Sequence, residues 1–380
     1  MRKVLLRGPL LTASGYGEHA RQFFRWLETR DDIEFKVQCL NWGTTTWYLD
    51  RDLEEGLIGR IMAKTDVNEN DKFDISIQVQ LPDEWDPKLA MYNIGVSAFL
   101  ETNRCSYEWA QCCNKMNRVI VPSDHALKGI EAYGQQSTKI DVVNECYNPL
   151  INSPDYSFDL KLKTDFNFLI VSQLTGNTRE SDRKNILNTI ESFCESFKDN
   201  RDVGLVIKTN LGRSTLDDRK NTEMLMSSIT KRVKKSEFPR IYMLHGLLTP
   251  EEMGAVYRDK KIKCLVSLTR GEGYGLPLLE ASVCGLPVIA TNWSGHLDFL
   301  KSFVKIDYDL KQIPDERVDG RIFQKGMLWA NPSLDDFKRK VVEFKDNPGK
   351  AKKEAKKQSK VNSSKFSQLA FNREMNEVLK

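Results

Sequence analysis

The stretch RGEGYGLPLLEA, at residues 270–281, is the most informative part of this chain. It follows the short apolar run 264–268, which is typical of a buried strand, and Pro277 stands where the first turn of a helix accepts proline. Three glycines allow the backbone to approach a ligand closely, and the amides at the start of a helix favour an anion, above all phosphate. The stretch therefore predicts a strand, a phosphate-binding turn and a helix.

Two glutamates bracket this turn, Glu272 in the loop and Glu280 about one turn inside the helix. Carboxylates bind phosphate poorly, but they accept hydrogen bonds from sugar hydroxyls. Amides that face a phosphate, flanked by carboxylates that face hydroxyls, predict a site for a nucleotide-sugar.

Strand and helix patterns alternate on both sides of this turn. The second half predicts strands at 167–172, 203–208, 240–244, 263–268 and 287–290, with helices at 185–197, 221–234, 250–258 and 277–284. The first half predicts strands at 4–7, 35–40, 75–80, 91–96 and 118–121, with helices at 18–28 and 124–133. Repeated β-α-β order predicts an α/β protein of two Rossmann-like domains, with parallel sheets that face an inter-domain cleft.

Turn residues without an apolar period occupy the region around 147–163, which we interpret as the domain boundary. The predicted organisation is an N-terminal acceptor-side domain (1–155), a linker (156–163), a nucleotide-sugar-binding domain (164–350) and a basic helical segment (351–380) that packs back toward the N-terminal domain. Residues 332–380 carry 13 Lys and Arg against 7 Asp and Glu, within a net charge of +4 for the whole chain. A block of this kind is usually a solvated helix face, but it also attracts phosphates, nucleic acid or anionic lipid.

The sequence contains no window of ~18 uncharged apolar residues, the length that a membrane span needs, and no export signal. We therefore expect a cytoplasmic protein with its eight cysteines reduced. Neither the cysteines nor the four histidines have the spacing of a metal site, so no metal ion is expected.

The turn at 270–281, its continuation at 281–291 and the upstream stretch HGLLTPEE at 245–252 together resemble the Glu-x7-Glu signature of retaining glycosyltransferases of family 4, which have the GT-B fold. The resemblance covers about 168–300 and is looser in the first half, where 8–21 and 101–123 resemble phage-borne glycosyltransferases. It implies transfer of a hexosyl or pentosyl group from a nucleoside diphosphate sugar, without a cofactor, to a hydroxyl of a glycan, a lipid carrier or a small molecule.

The same resemblance implies roles for individual residues. Glu280 would hold the ribose hydroxyls, and Glu272 the 3- and 4-hydroxyls of the donor sugar. Segment 240–246 would form the wall against the base. The donor pocket would be lined by the backbone of Gly273, Tyr274, Gly275 and Leu276.

The family also places an arginine and a lysine in the loop 172–185, where they neutralise the diphosphate. Lys184 matches the lysine, but Gln173 stands where the arginine usually does. The candidates to replace that arginine are Arg183, Arg179 and Lys208.

In the first half, Gly15 and Gly17 resemble the glycine loop that approaches the diphosphate from the other domain. Glu101 follows a predicted strand where the family often carries a His-Asp-like pair, and it is an acceptor-side candidate with His125 and His19. Glu18 and His19 begin the next helix and are expected to face the cleft.

Two other functions stay open. Gln173 allows a nucleotide-sugar-binding protein without transferase activity, which would release no free nucleoside diphosphate. The basic segment and the aromatic residues of the first half allow a transferase that acts on hydroxymethylated bases of phage DNA, and its DNA affinity would fall steeply with salt.

Overall fold

The computed structural model describes residues 1–68, 70–134, 136–175 and 178–380. Contacts within these ranges divide the chain into an N-terminal unit, Met1–Asn148 with Lys365–Lys380, and a C-terminal unit, Pro149–Ser364. Within the described residues, each unit is built on one six-stranded sheet whose neighbouring strands are all parallel. The predicted α/β class with two parallel sheets is confirmed.

The sheet of the N-terminal unit has the strand order β2-β1-β3-β4-β5-β6. Its strands are β1 (Arg2–Gly8), β2 (Ile33–Cys39), β3 (Ile75–Val79), β4 (Tyr92–Val96), β5 (Arg118–Val121) and β6 (Ile140–Val142). The helices before residue 149 are α1 (Gly15–Leu27), α2 (Leu57–Met62), α3 (Tyr107–Cys113) and α4 (Asp124–Glu131).

The sheet of the C-terminal unit has the strand order β12-β11-β10-β7-β8-β9. Its strands are β7 (Phe166–Val171), β8 (Val203–Thr209), β9 (Arg240–His245), β10 (Ile262–Ser267), β11 (Val288–Thr291) and β12 (Val304–Ile306), and β13 (Tyr308–Gln312) pairs antiparallel with β14 (Leu328–Pro332). The helices are α5 (Ile186–Ser196), α6 (Leu216–Val233), α7 (Pro250–Arg258), α8 (Leu276–Val283), α9 (Leu334–Asp346), α10 (Gly349–Lys365) and, in the N-terminal unit, α11 (Gln368–Val378).

The order of these strands fixes where a ligand binds. From β7 the chain runs outward through β8 and β9, then returns so that β10 lies on the other side of β7. In open α/β sheets ligands bind at such a switch point, outside the carboxyl ends of the strands. The loops that follow β7 and β10 therefore meet at the expected ligand-binding edge.

The units divide after Asn148, earlier than the predicted domain end at 155. The reason is that the turn at 149–152 packs on α7, where the Arg258 guanidinium donates to the Ile151 carbonyl at 2.6 Å. The predicted segment 351–380 is divided as well. Its first part stays in the C-terminal unit, because Asn362 donates to Ser282 and Phe299, whereas 365–380 belongs to the N-terminal unit.

Helix α1 shows how the N-terminal core forms. The Ser14 side chain caps the helix by accepting from the Gly17 amide at 3.0 Å, and the buried rings Phe23, Phe24 and Trp26 cover the sheet. Helix α11 lies against α1, with the Phe371 ring edge-on to Phe23.

Gly17 is required by close packing, and we expect its replacement to destabilise the N-terminal unit. A Cβ at residue 17 would lie 2.2 Å from the Thr12 carbonyl oxygen, whereas a Cβ at Gly15 meets no atom within 4 Å. Gly17→Ala should lower the free energy of unfolding by at least about 2 kcal/mol, because overpacking shifts backbone. Urea unfolding measures this, with Gly15→Ala as the matched control. Equal stability of the two variants would contradict the packing.

No helix in the described ranges is long and apolar enough to cross a membrane. All eight cysteines lie in these ranges, and each is a free thiol.

Candidate functional site

The loop after β10 is held by the segment after β11. Glu272 donates its amide to the Ser294 hydroxyl and accepts from the Gly295 amide, both at 3.0 Å. Gly295 has to be glycine, because a Cβ there would lie 2.1 Å from the Gly273 carbonyl oxygen. Ser294 has a φ of 92°, a strained value for a residue with a side chain. The surrounding structure thus imposes the shape of the glycine turn.

Helix α8 begins immediately after this turn. Its N-cap, Gly275, has a φ of 103°, which glycine adopts without strain. Leu276 is the first helical residue and is half-buried, as is Gly275. The Tyr274 ring, in contrast, is buried: the residue is 2% exposed, and its ring packs on Phe299. Tyr274 can therefore serve a ligand through its backbone only.

At the switch point, two cationic side chains lie beside the Glu272 carboxylate. Lys184, in the loop after β7, donates to both carboxylate oxygens of Glu272 at 2.7 and 2.8 Å. The Arg183 guanidinium lies 3.5 Å from Glu272 Oε2 and donates to the Gly271 carbonyl at 2.7 Å. The structure thus brings together three of the predicted site residues from loops that are far apart in sequence.

Buried polar contacts hold the cation-bearing loop. Asp182 is fully buried, and its carboxylate accepts from the amides of Lys184 and Ile186. Arg270 donates to the carbonyls of Arg179 and Asp182, and its guanidinium lies over Trp329. Gly176 and Asn177, which also belong to this loop, lie outside the described residues. The backbone around Lys184 is therefore fixed before any ligand arrives.

One candidate to replace the missing arginine lies close to Glu272. Gln173 is exposed on the loop. The Arg179 guanidinium pairs with Glu191 on α5, with 45% of its side chain exposed. Arg183, in contrast, is 12% exposed and faces Glu272. Of the two arginine candidates, Arg183 is the one that lies beside Glu272.

Glu272 is held in its ionised form. Burial raises the pKa of this carboxyl, but Lys184 and Arg183 outweigh burial and bring the pKa down to about 2. Because the folded-state pKa lies below the ordinary value of 4.5, the ion pair adds stability above pH 4.5, and that stability is lost as pH falls toward 2.

We expect Glu272→Gln to remove this pH dependence. The difference in unfolding free energy between the wild type and the variant should be constant above pH 4.5 and shrink below it, by at most about 3 kcal/mol. Urea unfolding at several pH values measures it. A difference that stays constant down to pH 2.5 would contradict the lowered pKa.

Glu280 lies on α8 with its carboxylate among buried polar groups. The Tyr257 hydroxyl donates to Glu280 Oε2 at 2.9 Å, and Tyr257 is 1% exposed. Lys208, at the carboxyl end of β8, is close enough to interact with Glu280 electrostatically. Burial lowers the pKa of Lys208, and Glu280 opposes that effect. Lys208 thus lies near the residue predicted to bind ribose.

The segment 240–246, which is predicted to form the wall against the base, contains β9 (Arg240–His245). His245 Nε2 lies 2.7 Å from Asp218 Oδ2, and that contact fixes the ring against α6. Burial raises the pKa of Asp218, but hydrogen bonds from His245 and from the Leu211 and Arg213 amides outweigh it and lower the pKa.

One acceptor-side expectation, His19, is corrected in the N-terminal unit, together with the expected exposure of Glu18. His19 is 1% exposed, inside the core with Nδ1 3.9 Å from the Glu145 carboxylate, and burial lowers its pKa to about 3. Glu18 accepts from Arg21 and Arg25, both at 2.9 Å. His19 therefore does not face an acceptor, and Glu18 is engaged in an ion-pair network, because α1 turns these positions toward the protein.

The glycine loop of the N-terminal unit carries an aromatic pair. The Tyr16 ring stacks on Trp42 at 4.1 Å, and the Tyr16 hydroxyl bonds to Ser97 at 2.8 Å and accepts from the Ala98 amide. Glu101 is half-buried and near enough to Tyr16 to interact electrostatically. Gly15 is exposed beside this pair. His125 is half-buried on α4, and its predicted place on the acceptor side stays a prediction.

Among the described residues, no group of three or more His, Cys, Asp or Glu side chains is arranged to hold a metal ion.

Comparison with known proteins adds to this geometry. Residues 179–361 match the model of the family "Glycosyl transferases group 1". This segment, just under half of the chain, is similar to the group 1 glycosyltransferases. The matched segment contains all four residues discussed at the switch point and on α8: Arg183, Lys184, Glu272 and Glu280. No curated protein matches the chain.

Solved structures match over the whole chain. HepE from Anabaena, in complex with UDP and glucose, is 12% identical with a TM-score of 0.61, and the match covers 100% of this chain and 99% of HepE. Sucrose-phosphate synthase from Thermosynechococcus elongatus is 13% identical with a TM-score of 0.62. The match covers 100% of this chain and 98% of the synthase chain. These likenesses confirm the predicted GT-B type of fold.

The chain is shorter than some of the structures that it resembles. It spans 56% of the matched chain of the GtfA/B complex and 60% of pneumococcal O-GlcNAc transferase GtfA, solved with UDP and GlcNAc. The latter is 14% identical with a TM-score of 0.51 over 88% of this chain.

Sequence reasoning missed the residues that support the site. Asp182, Arg270 and Tyr257 act through buried contacts with residues that lie far away along the chain. Asp182 carried one signal, because an acid just before a helix is a common cap. Tyr257 carried none, since an aromatic residue late in a helix is typical of core.

Proposed function

We propose that this protein is a retaining glycosyltransferase, which moves a sugar from a nucleoside diphosphate sugar to a hydroxyl of a glycan, a lipid carrier or a small molecule. The strongest support is the meeting of Lys184 and Arg183 with Glu272 at the switch point of the sheet. Cations beside a carboxylate suit a diphosphate joined to a sugar, because the cations bind phosphate and the carboxylate accepts from hydroxyls.

The donor would lie along the start of α8. Glu280 accepts from the ribose hydroxyls, the amides near Gly275 face the diphosphate, and Glu272 accepts from the sugar hydroxyls. Lys184 and Arg183 then interact with both Glu272 and the phosphates. Because Glu272 already holds the cations in place, little reorganisation is needed when the donor binds.

The difficult step is breakage of the bond between the sugar C1 and the phosphate oxygen. Its electron pair goes to the leaving diphosphate, whose growing charge Lys184 and Arg183 stabilise. The acceptor oxygen bonds to C1 on the face that the diphosphate leaves, and its proton passes to a phosphate oxygen. No protein base is needed, and the anomeric configuration is retained.

The test has two stages. Thermal shift with uridine, guanosine, adenosine and cytidine diphosphates identifies the donor base, and uridine comes first because matching structures are UDP complexes. The matching UDP-sugars are then followed for release of nucleoside diphosphate, and proton NMR assigns the anomer that first forms. A β product from an α donor would contradict retention, and binding of the donor without turnover would favour a non-catalytic binding protein.

A hydroxymethylated base of DNA is the second candidate acceptor. Lys353, Lys356, Lys357 and Lys360 are exposed on α10 and recur at helical spacing, so they form one basic face. Contacts between such a face and phosphates would give an affinity for DNA that falls steeply between 50 and 200 mM salt. An affinity for DNA that salt leaves unchanged would count against this candidate.

A further inference from the structure

Tyr257 is a buried tyrosine whose hydroxyl is directed at one carboxylate. It lies near the end of α7, is 1% exposed, and donates to Glu280 Oε2 at 2.9 Å. Burial, and then the charge of Glu280, raise the pKa of the phenol well above its usual value. The hydroxyl therefore stays protonated and acts as a donor.

The position of the hydroxyl is fixed by the anchoring of α7. The helix begins with a capping box, in which Thr249 accepts from the Glu252 amide and the Glu252 carboxylate accepts from the Thr249 amide. A Cβ at Gly254 would lie 2.4 Å from the Ile151 carbonyl oxygen, so the helix lies directly against that turn. Tyr257 is consequently a fixed reference for the side chain that it contacts.

The Glu280 side chain has three rotatable bonds, and holding it in one rotamer costs conformational entropy. A hydrogen bond from a fixed donor restricts this rotation. An ionised carboxylate offers about four lone-pair sites, so one carboxylate can accept from a phenol and from ribose hydroxyls at the same time.

We infer that Tyr257 is a positioning residue, which orients Glu280 toward the ribose of the donor and so sets the preference of the site for ribonucleotides over 2′-deoxyribonucleotides. The inference rests on the proposed function, because it needs Glu280 to bind the donor nucleotide. A purely structural phenol would contribute to stability without affecting the choice between the two sugars.

The test compares the wild type with Tyr257→Phe, which keeps the ring and removes the hydroxyl. Titration calorimetry measures the Kd of the preferred nucleoside diphosphate and of its 2′-deoxy analogue. We expect the ribonucleotide Kd to rise about five- to tenfold, because the orientation of Glu280 toward both ribose hydroxyls is lost. The Kd of the deoxyribonucleotide, which keeps only the 3′-hydroxyl, should rise clearly less, so that the preference for ribose shrinks, and kcat at saturating donor should stay within about twofold. Tyr133→Phe is the matched control, since it removes a hydroxyl that donates to the Cys105 carbonyl.

The outcomes separate the inference from the proposed function. If the wild type binds no nucleoside diphosphate, the proposed function fails. If it binds and Tyr257→Phe keeps the wild-type preference for ribose, or loses both nucleotides equally, the positioning role is overturned. Should Tyr257→Phe fail to fold, Tyr257→Met carries the same comparison, because methionine fills irregular core gaps.

Discussion

Replacing Lys184 with alanine should lower kcat about 10²- to 10³-fold while the donor KM changes little, because the lysine stabilises charge that grows on the leaving diphosphate. Lys184 is 20% exposed and lies 2.7 Å from Glu272. The variant should fold, since Arg183 stays near the same carboxylate. Steady-state rates of nucleoside diphosphate release measure the effect.

A closely matched lysine serves as the control. Lys340 is also 20% exposed and lies 2.7 Å from a carboxylate, that of Asp336, on α9 and outside the site. Lys340→Ala should turn over at the wild-type rate. If Lys184→Ala and Lys340→Ala turn over equally fast, Lys184 does not act on the leaving group.

Replacing Glu280 with alanine should weaken donor binding about 100-fold, because hydrogen bonds from the ribose to a charged group are lost. Titration calorimetry with the donor nucleotide measures the effect, and activity at saturating donor should fall much less. Glu343→Ala removes a helical glutamate that pairs with Arg339 and is the control. A donor Kd within twofold of the wild type would show that Glu280 does not contact the nucleotide.

The order of strands and helices around the site could be predicted from local patterns. Strands β7 to β11 are apolar runs between turn residues, and the three glycines before α8 indicate the turn. Strands β12, β13 and β14 were not predicted, because they are short or, like β13, mostly exposed. The first residue of α6 was predicted less accurately. The helix was predicted from 221, but it begins at Leu216, because the Thr215 side chain caps a polar first turn.

The side-chain partners could not be predicted in the same way. His19 follows the glycine loop and has the chemistry of an acceptor-site residue, yet it is buried on α1 beside Glu145. The hydrogen bond between Tyr257 and Glu280 joins α7 and α8, the helices that precede and follow β10 along the chain. Such contacts depend on how the helices pack on the sheet. The spacing of residues along one helix does not predict which side chains of another helix it will contact.

Helix α11 has a consequence for how this protein is made and dissected. Its Phe371 contacts Phe23, its Asn376 accepts from the Trp26 indole, and Arg118 donates to the Val378 carbonyl. During synthesis, residues 1–148 leave the ribosome long before the helix that covers their core, so this core stays open until residue 378 has been translated. A continuous fragment that ends near 148 would expose the same apolar surface and aggregate. The C-terminal unit, residues 149–364, is continuous in sequence and is the part that should be isolated by itself.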